Sequence, residues 1–105
     1  HLVEVLDGDF RFAVFGTATM GVMRREYTGM RISEIDEPAA RLWETGYRVA
    51  VAGRRPRFYD HTTDTYIAGE EPFGWWRAIL PLGTGETVEH LLVLIQVYRP
   101  DGSFT

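Results

Sequence analysis

Strand patterns occupy both ends of this 105-residue chain, and helical spacing is confined to the segment between them. Residues 2–6 and 10–15 are rich in β-branched and aromatic side chains, and Asp7-Gly8 between them predicts a hairpin with a type I′ turn. Three further strands are predicted at residues 57–62, 73–82 and 89–98, the last two joined by a short glycine-rich loop at residues 83–86. The order predicts an α+β domain in which strands precede and follow the helices.

Helical segments are expected at three places between these strands. In residues 17–26, Met20 and Met23 recur at helical spacing, and residues 30–35 are long enough for a single turn. The clearest helix covers residues 38–52. The predicted element order is therefore β-β-α-α-α-β-β-β.

The helix at residues 38–52 carries recognisable signals at both ends. Pro38 suits its first position, Asp36 or Glu37 its cap, and Gly53 its end. Its predicted apolar stripe consists of Ala39, Leu42, Trp43, Gly46, Tyr47 and Ala50.

Gly46 lies in the middle of this helix, where glycine costs about 1 kcal/mol relative to alanine. A glycine at such a place is typical of a helix against which another group packs very closely. We therefore expect a close approach to the helix backbone at Gly46.

The ionisable composition excludes several kinds of chemistry. All eleven basic residues are arginine, and the chain has neither lysine nor cysteine. Schiff-base chemistry, pyridoxal phosphate anchoring and a phosphate-loop lysine are excluded, as are disulfides, thiolate zinc sites and iron–sulfur clusters. The net charge of -4 argues against a nucleic-acid partner. No run of 18 apolar residues and no signal-peptide pattern is visible, so we expect a cytoplasmic protein without a membrane partner.

Three stretches carry a resemblance to a known family. Residues 9–17 (DFRFAVFGT), 28–35 (TGMRISEI), and 76–82 (WRAILPL) followed by 85–88 (GETV) are similar to a bacterial PAS-like family of mostly uncharacterised proteins. The resemblance implies that residues 1–105 form one PAS domain, and the abrupt start at His1 leads us to expect that an N-terminal capping segment is missing. It implies an antiparallel sheet in strand order 2-1-5-4-3, with short helices and one longer helix on one face.

The resemblance also implies a sensory, non-catalytic role. PAS domains commonly hold a small molecule between the sheet and the long helix, dimerise, or belong to a larger signalling protein. The flavin and coumaryl photosensor branches need a cysteine, which excludes their thiol-linked chromophores here. Haem is disfavoured because no histidine lies on the long helix. No cofactor is identified, and the expected partners are a small molecule, a second copy or an attached signalling domain.

Aromatic, thioether and arginine side chains are the candidates for a pocket under the long helix. Thioethers and aromatic rings adapt to a planar ligand, but such residues more often belong to plain core packing. Arg77 and Arg57 would clamp a carboxylate if they faced such a pocket, or pair with acidic neighbours if they did not. The candidate pocket residues are Met20, Met23, Trp43, Tyr47, Tyr59, His61 and Arg77, with Trp76 as a further aromatic.

Two other features leave alternatives open. His61 with Asp60 or Asp64 would form a metal or acid–base site, or would be an ordinary strand-end histidine, since neighbouring strand residues point to opposite faces. Of Trp75 and Trp76, one indole must face the helices and the other the opposite side, which makes this pair the interface candidate. The alternative functions are therefore a dimerisation module without ligand, and a small cone-shaped α+β enzyme using His61 and Asp60.

Overall fold

The computed structural model describes residues 1–16, 26–63 and 73–98. Its elements, in chain order, are β1 (Leu2–Val5), β2 (Phe10–Val14), a 3₁₀ turn (Ile32–Glu34), α1 (Pro38–Gly53), β3 (Arg57–Thr63), β4 (Phe73–Thr84) and β5 (Thr87–Tyr98). The predicted strands and the long helix are confirmed, with ends that differ by one or two residues. The helix predicted at residues 17–26 lies almost entirely outside the described residues, together with Met20 and Met23.

The five strands form one antiparallel sheet in the order β2-β1-β5-β4-β3. This is the strand order expected above. Helix α1 packs on one face, which we call the inner face, and the opposite face is the outer face. Strands β3 and β4 carry most of the predicted site residues. Their register pairs Tyr59 with Arg77 and His61 with Trp75.

The turn between β1 and β2 differs from the predicted type I′ turn. A type I′ turn needs positive φ at both central residues, but only Gly8 has it, at 74°. The loop is closed instead by the backbone N–H of Leu6, which donates to the carbonyl oxygen of Asp9 over 2.9 Å. The Asp9 carboxylate in turn accepts a 2.8 Å hydrogen bond from the backbone N–H of Phe10.

Helix α1 begins as predicted and ends differently. Pro38 occupies the first turn and Glu37 is the N-cap. At the other end the left-handed residue is Arg54, with φ of 52°, and Gly53 is still helical. A Cβ at residue 53 would lie 2.9 Å from Nη2 of Arg57, so the end of that partly exposed side chain would have to shift.

The buried stripe of α1 is rotated slightly from the predicted one. It consists of Ala40, Trp43, Gly46, Tyr47 and Ala50. Leu42 is exposed, so its assignment was wrong, whereas Ala39 is partly buried and packs against the core. The aromatic residues over the β2 end of the sheet set this rotation, because the rings of Phe12 and Phe15 contact Trp43.

Candidate functional site

A buried arginine lies between α1 and the sheet. Arg77 extends from β4 onto the inner face and is only 4% exposed. The absent side chain of Gly46 makes room for it, since a Cβ there would lie 2.5 Å from Nη2 of Arg77 and 3.1 Å from Cδ1 of Ile79. The close approach predicted at Gly46 is therefore present, and the group that makes it is a guanidinium.

Two tyrosine rings flank this guanidinium. Its Cζ lies 4.9 Å from the ring centroid of Tyr59 and 5.8 Å from that of Tyr47. Both distances are within the range of cation–π attraction, which is worth about 0.5–2 kcal/mol per contact. The rings stabilise the charge but accept no conventional hydrogen bond from it.

The donors of Arg77 are incompletely satisfied. Nε and Nη1 are buried and have no hydrogen-bond acceptor among the described residues. A buried donor without an acceptor costs about 1–3 kcal/mol, and more when the group is charged. Burial lowers the pKa of the Arg77 guanidinium, against the opposing effect of the Tyr47 and Tyr59 phenols. Burial likewise raises the pKa of the Tyr47 hydroxyl.

Carboxylates elsewhere in the described part of the chain pair with other arginines. These ion pairs join Glu4 to Arg11, Asp9 to Arg31, Glu44 to Arg41 and Arg48, and Glu86 to Arg54. Between described residues, no ion pair includes Arg77. The positive charge under α1 thus has no carboxylate partner in this part of the molecule.

A second arginine lies against the same helix. Arg57 on β3 is opposite Ile79 in the register, and its guanidinium lies beneath Gly53. Its Nε is also buried with no acceptor among the residues that the structure describes. Gly46 and Gly53 are two helical turns apart, so one side of α1 leaves room for both arginines.

The predicted pocket residues separate into two groups. Tyr47, Tyr59 and Arg77 come together as described. Trp43 is 3% exposed and packs edge-on against Phe12 and Tyr27, so it belongs to the aromatic core. Met20 and Met23 lie outside the described residues.

Trp76 was wrongly included in the inner pocket, because it lies on the outer face. The alternation predicted for the tryptophan pair is confirmed: Trp75 is 6% exposed on the inner face and Trp76 is 46% exposed. Trp75 is therefore buried within the domain, and only Trp76 remains an interface candidate.

Asp60, the predicted carboxylate partner of His61, lies on the outer face. Asp60 is exposed, and its carboxylate accepts a 2.7 Å hydrogen bond from the Tyr98 hydroxyl. His61 lies on β3 opposite Trp75. Asp64 lies outside the described residues, and within those residues no three histidine, aspartate or glutamate residues are grouped as metal ligands.

The outward tryptophan belongs to an apolar patch on the outer face, and the other members of this patch were not predicted. The patch consists of Phe58, which is 74% exposed, together with Leu94 at 53% and Trp76. These side chains border an open depression with Asp60, Ala78 and Gln96. The sequence shows that side chains alternate between the two faces along β3 and β5. Which of the two alternating sets faces outward depends on the face against which α1 packs.

The chain matches no protein-family model, no curated protein and no solved structure. No helix among the described residues combines the length and the apolar character needed to cross a membrane.

Proposed function

We propose that this chain is a PAS-like sensory domain, without catalytic activity, that binds a small molecule between α1 and the inner face of the sheet. The observation that carries the proposal is the buried guanidinium of Arg77, flanked by Tyr47 and Tyr59 and lacking an acceptor for Nε and Nη1 among the described residues. The strand order and the packing of the long helix α1 on one face support the PAS-like architecture.

Signalling through such a site would follow from a shift between two arrangements of α1 and the sheet. Gly46 and Tyr47 belong to the helix, whereas Tyr59 and Arg77 belong to adjacent strands. A ligand that contacts both the helix and the strands favours the arrangement in which the helix and the strands are closest. It can shift the equilibrium only by the difference between its affinities for the two arrangements. The change would pass to whatever segment contacts the outer face or the ends of α1.

Direct identification of a bound molecule tests this function. Mass spectrometry of the gently released small molecules from purified full-length chain should find a stoichiometric compound, and a metabolite screen should raise the unfolding temperature. Gly46→Val, which fills the space under α1, should abolish both effects, whereas Val49→Ala on the exposed side of the same helix should preserve them. A protein that carries nothing and responds to no metabolite would contradict the proposal.

A second candidate function is dimerisation through the outer face. The exposed patch of Phe58, Trp76 and Leu94 favours it, because large apolar side chains grouped on one surface are typical of interaction sites. The small-enzyme alternative has less support, because the side chains described around Arg77 on the inner face are those of two tyrosines. Asp60, its expected carboxylate, lies on the outer face.

A further inference from the structure

We infer that the ligand of this site is a small monocarboxylate with an apolar or aromatic body, and that its carboxylate binds the guanidinium of Arg77. The inference rests on the proposed function and specifies the chemical class of the ligand. It depends on three properties of the site: the missing acceptors, the single charge and the apolar surroundings.

The missing acceptors call for an anion. Nε carries one N–H and Nη1 carries two, and both nitrogens are buried without an acceptor among the described residues. A carboxylate supplies two oxygens in the plane that a guanidinium recognises, and it compensates the buried charge at the same time. The flanking rings of Tyr47 and Tyr59 contribute cation–π attraction, which supplies neither a hydrogen-bond acceptor for these N–H groups nor a compensating negative charge.

The single positive charge of Arg77 is matched by a ligand that carries one negative charge. Arg57, the partly exposed arginine beneath the end of α1, lies on the neighbouring strand β3, two residues further along the register. Nη2 of Arg77 lies against Gly46 and Nη2 of Arg57 against Gly53, and the helical rise separates these two glycines by about 10 Å, so one small carboxylate does not reach both guanidinium groups. A phosphate, which carries up to two charges, would be left with a net negative charge at Arg77.

The surroundings of Arg77 suit an apolar body. Its neighbours on the inner face are Ile79 and Trp75, both buried, and the tyrosine rings add aromatic surface. A ligand body beside the guanidinium on this face would be surrounded by apolar and aromatic side chains. Acidic and strongly polar bodies would find no matching groups among these residues.

Matched pairs of acids and amides test the inference on the full chain. Acetate, benzoate and indole-3-acetate at about 10 mM should be compared with acetamide, benzamide and indole-3-acetamide, which keep the shape and lose the charge. At least one aromatic acid should raise the unfolding temperature by several degrees, and its amide should not. Equal effects of acid and amide, or no effect of any acid, would overturn the inference.

Substitutions then locate the binding. Arg77→Met should abolish the acid-specific stabilisation, whereas Arg55→Met, the same change at an exposed arginine, should preserve it. If Arg77→Met fails to fold, ¹⁵N-arginine NMR of the unsubstituted chain gives the answer. The solvent-protected Nε–H resonances should move on addition of the acid and stay in place with the amide, and protected resonances that do not move would overturn the inference.

The chain's own acids provide the remaining control. Asp64, Glu70, Glu71 and Asp101 lie outside the described residues, and the variant D64N/E70Q/E71Q/D101N removes their charges. If acid binding and the protected Nε–H resonances are unchanged in this variant, the anion comes from outside the chain, as inferred. If acids bind only in the variant, Arg77 pairs internally and the inference is wrong. Recovery of a neutral ligand whose binding Gly46→Val abolishes would overturn the carboxylate class and leave the proposed function intact.

Discussion

Nη2 of Arg77 lies 2.5 Å from the position that a Cβ at residue 46 would occupy, so the helix and the buried cation require a glycine at this contact. The contact explains an unfavourable residue in the middle of α1. It also makes the Gly46–Arg77 pair a sensitive point for experiment, because either residue can be changed alone or with the other.

Gly46→Ala should destabilise the protein although alanine is the better helix former. The propensity gain is about 1 kcal/mol, whereas overpacking costs about 1–3 kcal/mol, so a net loss of about 1 kcal/mol is expected in urea unfolding. In an Arg77→Met background the sign should reverse, since the group that occupies the Cβ position is gone. Stabilisation by Gly46→Ala in the unsubstituted chain would contradict the observed contact.

Gly53→Ala is the matched control for this pair. Its Cβ would meet only the far end of the Arg57 side chain, at 2.9 Å from Nη2, and that side chain is partly exposed and can move. We expect a change within about 0.5 kcal/mol of neutral in the same urea measurement. A loss as large as that of Gly46→Ala would mean that Arg57 is held as rigidly as Arg77.

Trp76→Ala should weaken any dimer that forms through the outer face. A central tryptophan at an interface is worth about 2 kcal/mol or more, which is roughly a thirtyfold increase in the dissociation constant. Light scattering and sedimentation of the full-length protein would measure it, with Val49→Ala, an exposed apolar position on α1, as the control. A strict monomer at tens of micromolar would remove the dimerisation function.

Asp9→Asn should reduce the sensitivity of the protein to acid. Partial burial raises the pKa of the Asp9 carboxyl, but hydrogen bonds from the Ser33 hydroxyl at 2.6 Å and the Phe10 N–H outweigh it, with help from Arg31, and hold the pKa below its ordinary value. A lowered folded-state pKa contributes stability that is present above the unfolded pKa, about 4, and is lost as the pH falls through the folded value.

Urea unfolding between about pH 2 and pH 6 measures this contribution. The unsubstituted chain should lose more unfolding free energy below pH 4 than Asp9→Asn does. Asp7→Asn, at an exposed aspartate in the same hairpin loop, is the control and should follow the unsubstituted chain. Parallel curves for all three proteins would show that the Ser33 contact does not contribute.

Gly74→Ala should disturb the end of β4. A Cβ at this position would overlap the ring of Tyr98 on β5, whose hydroxyl donates a hydrogen bond to Asp60 on β3. We expect the free energy of unfolding, measured with heat or urea, to fall by about 1–3 kcal/mol. The Tyr98 ring must move, and its hydrogen bond to Asp60 is then lost. Tyr98→Phe keeps the ring and removes only the hydroxyl, so it should cost about 1 kcal/mol or less at this exposed site.

The local sequence pattern was sufficient to predict the strands, the long helix and the close packing at Gly46. Strand alternation, helical spacing and turn residues act over a few neighbours, and the chain carries them unambiguously at β3, β4, β5 and α1. Composition alone excluded lysine and thiol chemistry. The same reasoning showed that one of Trp75 and Trp76 must face inward, since adjacent strand residues alternate.

Only the tertiary structure decided which tryptophan faces inward and which group fills the space at Gly46. Arg77 is distant from Gly46 in sequence, and the two meet because β4 lies beneath α1 in the sheet order and its register turns residues 75, 77 and 79 toward the helix. No local pattern separates an arginine that faces a helix from one that faces water. That choice depends on the packing of whole elements, and here it converts an ordinary strand arginine into a buried cation beneath α1.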